Sequence, residues 1–161
     1  MIFSRRWQQA LLTCGTGIAL LMTMHVAKAA LGEHQASIDI ERMRLHASKR
    51  VVTKVGYTVH ELHSQEGSHI KQFVNATGQV FGVSWTTQYK PDLSRLLGAL
   101  HAQYARAEHE QAKRSGIQRH FKLDQQDLLV QSNAHLNVYS GFAMMRSLAP
   151  AGFTTAQLVQ D

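Results

Sequence analysis

His63, His69 and Glu61 are the three residues whose types and spacing come nearest to a chemical site. Gln65-Glu66-Gly67 reads as a three-residue turn between two strands, with glycine where a positive φ is wanted. In such a hairpin, residues equidistant from Glu66 oppose each other. His63 then faces His69, and Glu61 lies two residues back on the same face. Two imidazoles and a carboxylate are a donor set for zinc, copper or nickel. A turn of two or four residues would instead set His69 opposite Ser64 and dissolve the pair, leaving a solvated strand face near a hairpin tip.

The other reactive side chains make weaker patterns. Cys14 is the single cysteine and lies in an N-terminal apolar run. Ser84, Ser132 and Ser140 fall in predicted strands, and no Gly-x-Ser-x-Gly elbow surrounds any of them. Gly78 and Gly82 are turn and strand glycines rather than a phosphate-cradling loop. His101 and His109 share a helix without the i, i+4 spacing of a metal motif. His60 reads as a half-buried histidine on the packed face of the sheet with Phe73, a structural place more than a general base. Trp85 and Tyr89, near a strand end, are residues for the core or for the lining of a ligand groove.

Lys113, Arg114, Arg119, His120 and Lys122, with Phe121 among them, form a basic connection that could meet anionic lipid headgroups or an acidic partner. The same residues also fit an ordinary solvated loop, with Glu110 and Arg114 paired at i, i+4.

These residues follow a leader. Arg5 and Arg6 precede an apolar run from Ala10 to Met24, and Ala27-Lys28-Ala29 is a small-x-small sequence that a signal peptidase reads. Residues 1–29 are therefore expected to be an export signal, cleaved before Ala30, with residues 30–161 as a single exported domain. The minority alternative is an uncleaved inner-membrane anchor. The apolar run is shorter than the roughly 20 residues a spanning helix needs. Ser4-Arg5-Arg6 leaves the twin-arginine route open beside the general secretory one.

Export sets the chemistry of the remainder. The expected location is the periplasm, an oxidising compartment, yet with Cys14 in the leader no disulfide is available. Arg5, Arg6 and Lys28 leave with the leader, which reduces 17 basic residues to 14 against 11 acidic ones, a charge of +3 in place of +6. That is ordinary solubility and not the dense positive field of a nucleic-acid binder.

The elements that must position these side chains read as α+β. A helix is expected from Ser37 to Ala47, capped by Ser37, followed by a polar, basic loop at 48–54. Three antiparallel strands follow: 56–62, 69–75 and 80–86, joined by turns at Gly67 and Gly78. Pro91-Asp92 opens one long helix whose stripe is Leu93, Leu96, Leu97, Leu100 and Tyr104, ending at Ser115-Gly116. Two more strands, 127–132 and 136–145, and a final helical turn after Thr154 complete the chain. The expected order is α-β-β-β-α-β-β, an antiparallel five-stranded sheet with the long amphipathic helix packed on one face.

On Tyr57-Thr58-Val59-His60-Glu61-Leu62, on the block from Lys71 to Trp85, and on Pro91-Asp92-Leu93-Ser94-Arg95-Leu96-Leu97-Gly98, the chain resembles a bacterial exported family catalogued as domain of unknown function 2844. Ala30-Leu31-Gly32 and Leu148-Ala149-Pro150-Ala151-Gly152-Phe153 extend the resemblance over nearly the whole exported domain. It implies a compact exported domain and carries no reaction, cofactor or catalytic residue. The expectation for function is a non-enzymatic periplasmic domain that binds a partner protein or a small ligand. The alternatives are a metal-binding module on His63, His69 and Glu61, and, less favoured, an envelope hydrolase assembled from residues distant in sequence.

Overall fold

The structure, a computed structural model, describes residues 31–116 and 118–159. The expected leader and its cleavage site lie outside the described residues. Among the described residues, no helix is long and apolar enough to cross a membrane.

One seven-stranded antiparallel sheet organises the chain. Its strands are β1 (Ser48–Lys54), β2 (Tyr57–His63), β3 (His69–Asn75), β4 (Val80–Thr87), β5 (His120–Gln125), β6 (Leu128–His135) and β7 (Val138–Met145). They lie in the order β1-β2-β3-β4-β7-β6-β5, with every neighbouring pair antiparallel. Helix α1 (Ser37–Arg44) precedes the sheet, α2 (Leu93–Leu97) and α3 (His101–Ser115) connect β4 to β5, and α4 (Ala156–Val159) follows β7.

Both faces of the sheet are covered, but unequally. Strand alternation sends Leu62, Ile70, Val74, Val83, Trp85, Val130 and Ala143 to one face, where they meet Ile38 of α1, Leu96 and Leu97 of α2, and Tyr104 of α3. The opposite face carries Val59, Phe73, Phe81, Leu129, Phe142 and Met144, packed by Leu148, Phe153 and Leu158 of the C-terminal segment. There Phe153 meets Phe81 and Tyr57 edge-on at ring-centroid distances of 4.8 and 5.2 Å. Gly82 makes room for α4, since a Cβ at that position would come within 2.9 Å of Leu158 Cδ2. Among the described residues, the C-terminal segment covers only part of this face.

The sheet has two strands more than the sequence reading expects. Residues 48–54, expected to be loop, are edge strand β1, exposed on both faces except at half-buried Val52, so its polar residues carry no burial pattern. The basic connection hides β5: Phe121 and Leu123 point into the core while His120, Lys122 and Asp124 point out. Of the expected loop, Lys113 and Arg114 lie inside α3, and Gly116, Gln118 and Arg119 lie between α3 and β5. Glu110 pairs with Lys113 at 3.2 Å, one turn position nearer than the expected Arg114.

The long helix is also broken. Gly98 adopts φ 53°, closing α2 and starting a 3-10 turn before α3 begins at His101. Its start and stop match the reading: Asp92 Oδ1 accepts from Ser94 N at 3.1 Å, and Gly116 closes α3 at φ 72°. Helix α1 ends at Arg44, and Ser37 does not cap it; its Oγ donates to the His34 carbonyl at 2.8 Å.

Candidate functional site

The first hairpin has the expected register. His63 opposes His69 across a three-residue turn in which Gly67 takes φ 82°. The two imidazole rings stack, with centroids 3.9 Å apart and planes 24° from parallel. Stacked rings present their nitrogens side by side, whereas a shared metal needs two lone pairs converging on one point about 2.0–2.1 Å away. Glu61 lies on the same face, but its register neighbours are Arg50 on β1 and Lys71 on β3. Among the described residues, no group of three His, Cys, Asp or Glu side chains is placed to hold a metal.

His69 is the more constrained of the pair. Its Nε2 is buried and has no hydrogen-bond partner among the described residues. Burial holds its pKa below the usual imidazole value, and His63 and Lys71 lower it further against the opposing pull of Glu61. His60 is buried as expected, but on the helix-covered face beside Gln72, while Phe73 points to the other side. Its Nδ1 is buried and unpartnered, and burial, followed by nearby Lys49, lowers its pKa.

Two concavities have chemical definition. The first opens between α3 and the sheet and has a volume of 630 Å³. Trp85, Tyr104, Phe121 and Tyr139 give it an aromatic floor and wall. Tyr104 and Phe121 meet edge-on at 5.1 Å, and His101 lies 6.3 Å from Tyr104 in a nearly parallel plane. The Tyr104 hydroxyl donates to Glu108 Oε1 at 3.1 Å. Burial pushes its pKa up to about 12, with Glu108 adding to the rise and Ser132 opposing it. Lys90, Arg119, Asp92 and Glu108 place both signs of charge around the opening.

The second concavity, of 170 Å³, lies on the opposite face, beside Leu158 and Val159 of α4. Its floor is made of Ser84, Thr86 and Ser140, and its walls include His69, Lys71, Gln131 and Asn133. A wider groove of 1140 Å³ follows the other side of α3 along β5. Its lining mixes Gln, Arg and Glu side chains with Ala102, Ala107, Phe121 and Leu123.

Sequence reasoning marked Trp85 as a possible groove residue and placed Tyr104 in the helical stripe. The polar floor of Ser84, Thr86 and Ser140 escaped it, because isolated hydroxyl residues alternating with core residues carry no motif. Only the strand order, which brings β4 beside β7, sets them together.

The family model described as "Protein of unknown function (DUF2844)" matches residues 27–158. No curated protein and no solved structure matches the chain.

Proposed function

The chain belongs to this family of unknown function, and from that premise we propose that it is an exported, non-enzymatic periplasmic domain that binds a small amphipathic ligand between α3 and the sheet. One observation carries the reading: a 630 Å³ cleft with an aromatic floor and a few polar groups converging at its mouth. Binding sites for small molecules are commonly clefts of about 300–1,000 Å³ with that division between apolar lining and sparse polar groups. The fitting ligand has a planar or aliphatic body for Trp85, Tyr104 and Phe121, and a polar head for the charged rim.

The absence of an assembled acid–base pair supports binding over catalysis. Among the described residues, the serine hydroxyls that meet a histidine, Ser37 and Ser48, bond its backbone carbonyl and not its ring. The one hydroxyl–imidazole contact is Thr58 Oγ1 to His60 Nε2 at 3.4 Å, outside the cleft. The Tyr104 phenol, with its raised pKa, serves as a neutral hydrogen-bonding group and not as a base.

Native mass spectrometry of the untagged protein from its host's envelope tests compartment and occupancy together. The expected species begins at Ala30 and carries the added mass of a small organic molecule. Trp85 supplies a second readout, because Trp7 leaves with the leader. An anilinonaphthalene sulfonate probe is expected to quench Trp85 with one-to-one saturation, and Ser132→Leu, which fills the floor, to weaken it about tenfold. Linear, unsaturable quenching that Ser132→Leu leaves unchanged would refute the cleft as a site.

A further inference from the structure

We propose that the uncovered half of the second sheet face binds a tetrahedral oxyanion, a phosphate group above all, in the hollow between His69 and Asn133. This hollow lies on the other face of the sheet from the aromatic cleft, with Trp85 and Asn133 lining both, and it rests on different observations.

Strand register places the charges. Across the sheet on this face, one row of opposed residues runs Arg50, Glu61, Lys71, Ser84, Phe142, Gln131, Lys122. The next runs Ser48, His63, His69, Thr86, Ser140, Asn133, His120. Together the rows carry three permanent cations and three imidazoles against one carboxylate, Glu61. The adjoining row is apolar through Val59, Phe73, Met144 and Leu129, and its one acid, Asp124, is paired with Arg146 at 2.6 Å. The half-face left open by the C-terminal segment is therefore electropositive, which favours an anionic occupant.

Side-chain size makes the hollow. Ser84, Thr86 and Ser140 are short, so three hydroxyls open a hollow flanked by the longer His69 and Lys71 on one side and by Phe142, Gln131 and Asn133 on the other. Among the described residues, no carboxylate lines it. Hydroxyls, amides, an imidazole and an ammonium can all donate to oxygen, and donors from several directions suit a tetrahedral anion better than a planar one.

His69 adds a specific donor position: among the described residues its buried Nε2 has no partner, and an oxygen in the hollow would satisfy it. The charged groups around this ring are His63 and Glu61 on β2 and Lys71 on β3 itself. The facing residue on β4 is Thr86, and α4 contributes Leu158 and Val159 to the same hollow.

The test is an imidazole and amide NMR titration of the exported domain, folded as purified, with inorganic phosphate at constant ionic strength and chloride as control. The expected result is a saturable shift of His69, His63 and the Ser84, Thr86 and Ser140 amides, with His34 and His109 unmoved. A Ser84→Ala, Ser140→Ala double variant should weaken binding about tenfold. Thr86→Val keeps the side-chain shape and should weaken it in the same direction, so the result does not depend on one variant folding. Tighter binding of glycerol 3-phosphate than of inorganic phosphate would identify a phosphomonoester as the natural group, and the reverse would identify free phosphate. Absence of saturation, equal shifts at His34 and His109, or full affinity in both variants would overturn the proposal.

Discussion

Gly141 on β7 lies directly beneath the indole of Trp85 on β4: a Cβ on Gly141 would come within 2.6 Å of Trp85 Cζ2. The same Cβ would also run into the backbone carbonyl oxygen of Gln131. No side chain fits without moving backbone or a buried ring, so glycine here is required by contact rather than by backbone angle. Gly141→Ala is expected to destabilise the domain by about 1–3 kcal/mol, the usual cost of overpacking a filled core. Urea unfolding followed by Trp85 fluorescence measures it. A loss below about 0.5 kcal/mol would mean that the indole can shift freely, and the aromatic floor of the cleft would then be soft.

Gln72 shows a second kind of misfit. It is 1% exposed on the helix-covered face, and neither its Oε1 nor its Nε2 has a hydrogen-bond partner among the described residues. An unsatisfied buried amide costs about 1–3 kcal/mol, and replacement by an apolar group of similar shape removes the cost. Gln72→Leu is therefore expected to raise stability by about 1 kcal/mol or more. Thermal and urea unfolding of the variant would decide the matter; a clear loss of stability would show that Gln72 holds a polar partner that Leu cannot replace.

The parts of the fold that could be read from the sequence are those with strong local constraints. Gly67 and Gly78 mark two hairpin turns because both need positive φ, and that register alone predicts that His63 meets His69. The stripe from Leu93 to Tyr104 locates the helical layer, and Asp92 and Gly116 mark its limits. Strands β1 and β5 were illegible for a common reason: both are sheet edges, where Lys49, Arg50, Lys54 and Lys122 face water. Charge on an edge strand discourages pairing with other chains, and the same charge imitates a loop. The polar hollow depends on strand order, a long-range property that no short window of sequence contains. Neither does any window show that a Gly98 φ of 53° divides the long helix.

The stacked histidines make a definite statement about metal. Two ligands on adjacent strands can hold zinc only if one ring turns out of the stack, with water completing the coordination. Weak zinc binding is the expected outcome in isothermal titration, lost in His63→Ala and in His69→Ala. Glu61→Gln is expected to change it less than about twofold, since the register sets Glu61 between Arg50 and Lys71. A large effect of Glu61→Gln would restore the three-ligand arrangement suggested by the hairpin.

Acid should weaken the fold before its carboxylates are involved. Burial lowers the folded-state pKa of His60, with Lys49 contributing and Asp39 opposing, and burial likewise lowers that of His69. In the unfolded chain both titrate near 6.5, so below that pH the unfolded state binds more protons than the folded one. Their contribution is complete above about pH 6.5 and is lost as pH falls through the depressed folded values. Asp39, held down by Lys49, and Asp92, held down by Ser94 and Arg95, titrate below the usual carboxylate pKa of 3.8, so they leave the range from about 6.5 to 5 to the histidines. Urea midpoints are expected to decline from about pH 7.5 to pH 5, and the slope should flatten in His60→Gln. Phosphate should oppose the decline through His69 in the parent and fail to do so in the Ser84→Ala, Ser140→Ala double variant. A flat profile between pH 7.5 and pH 5 would show that neither imidazole loses solvation on folding.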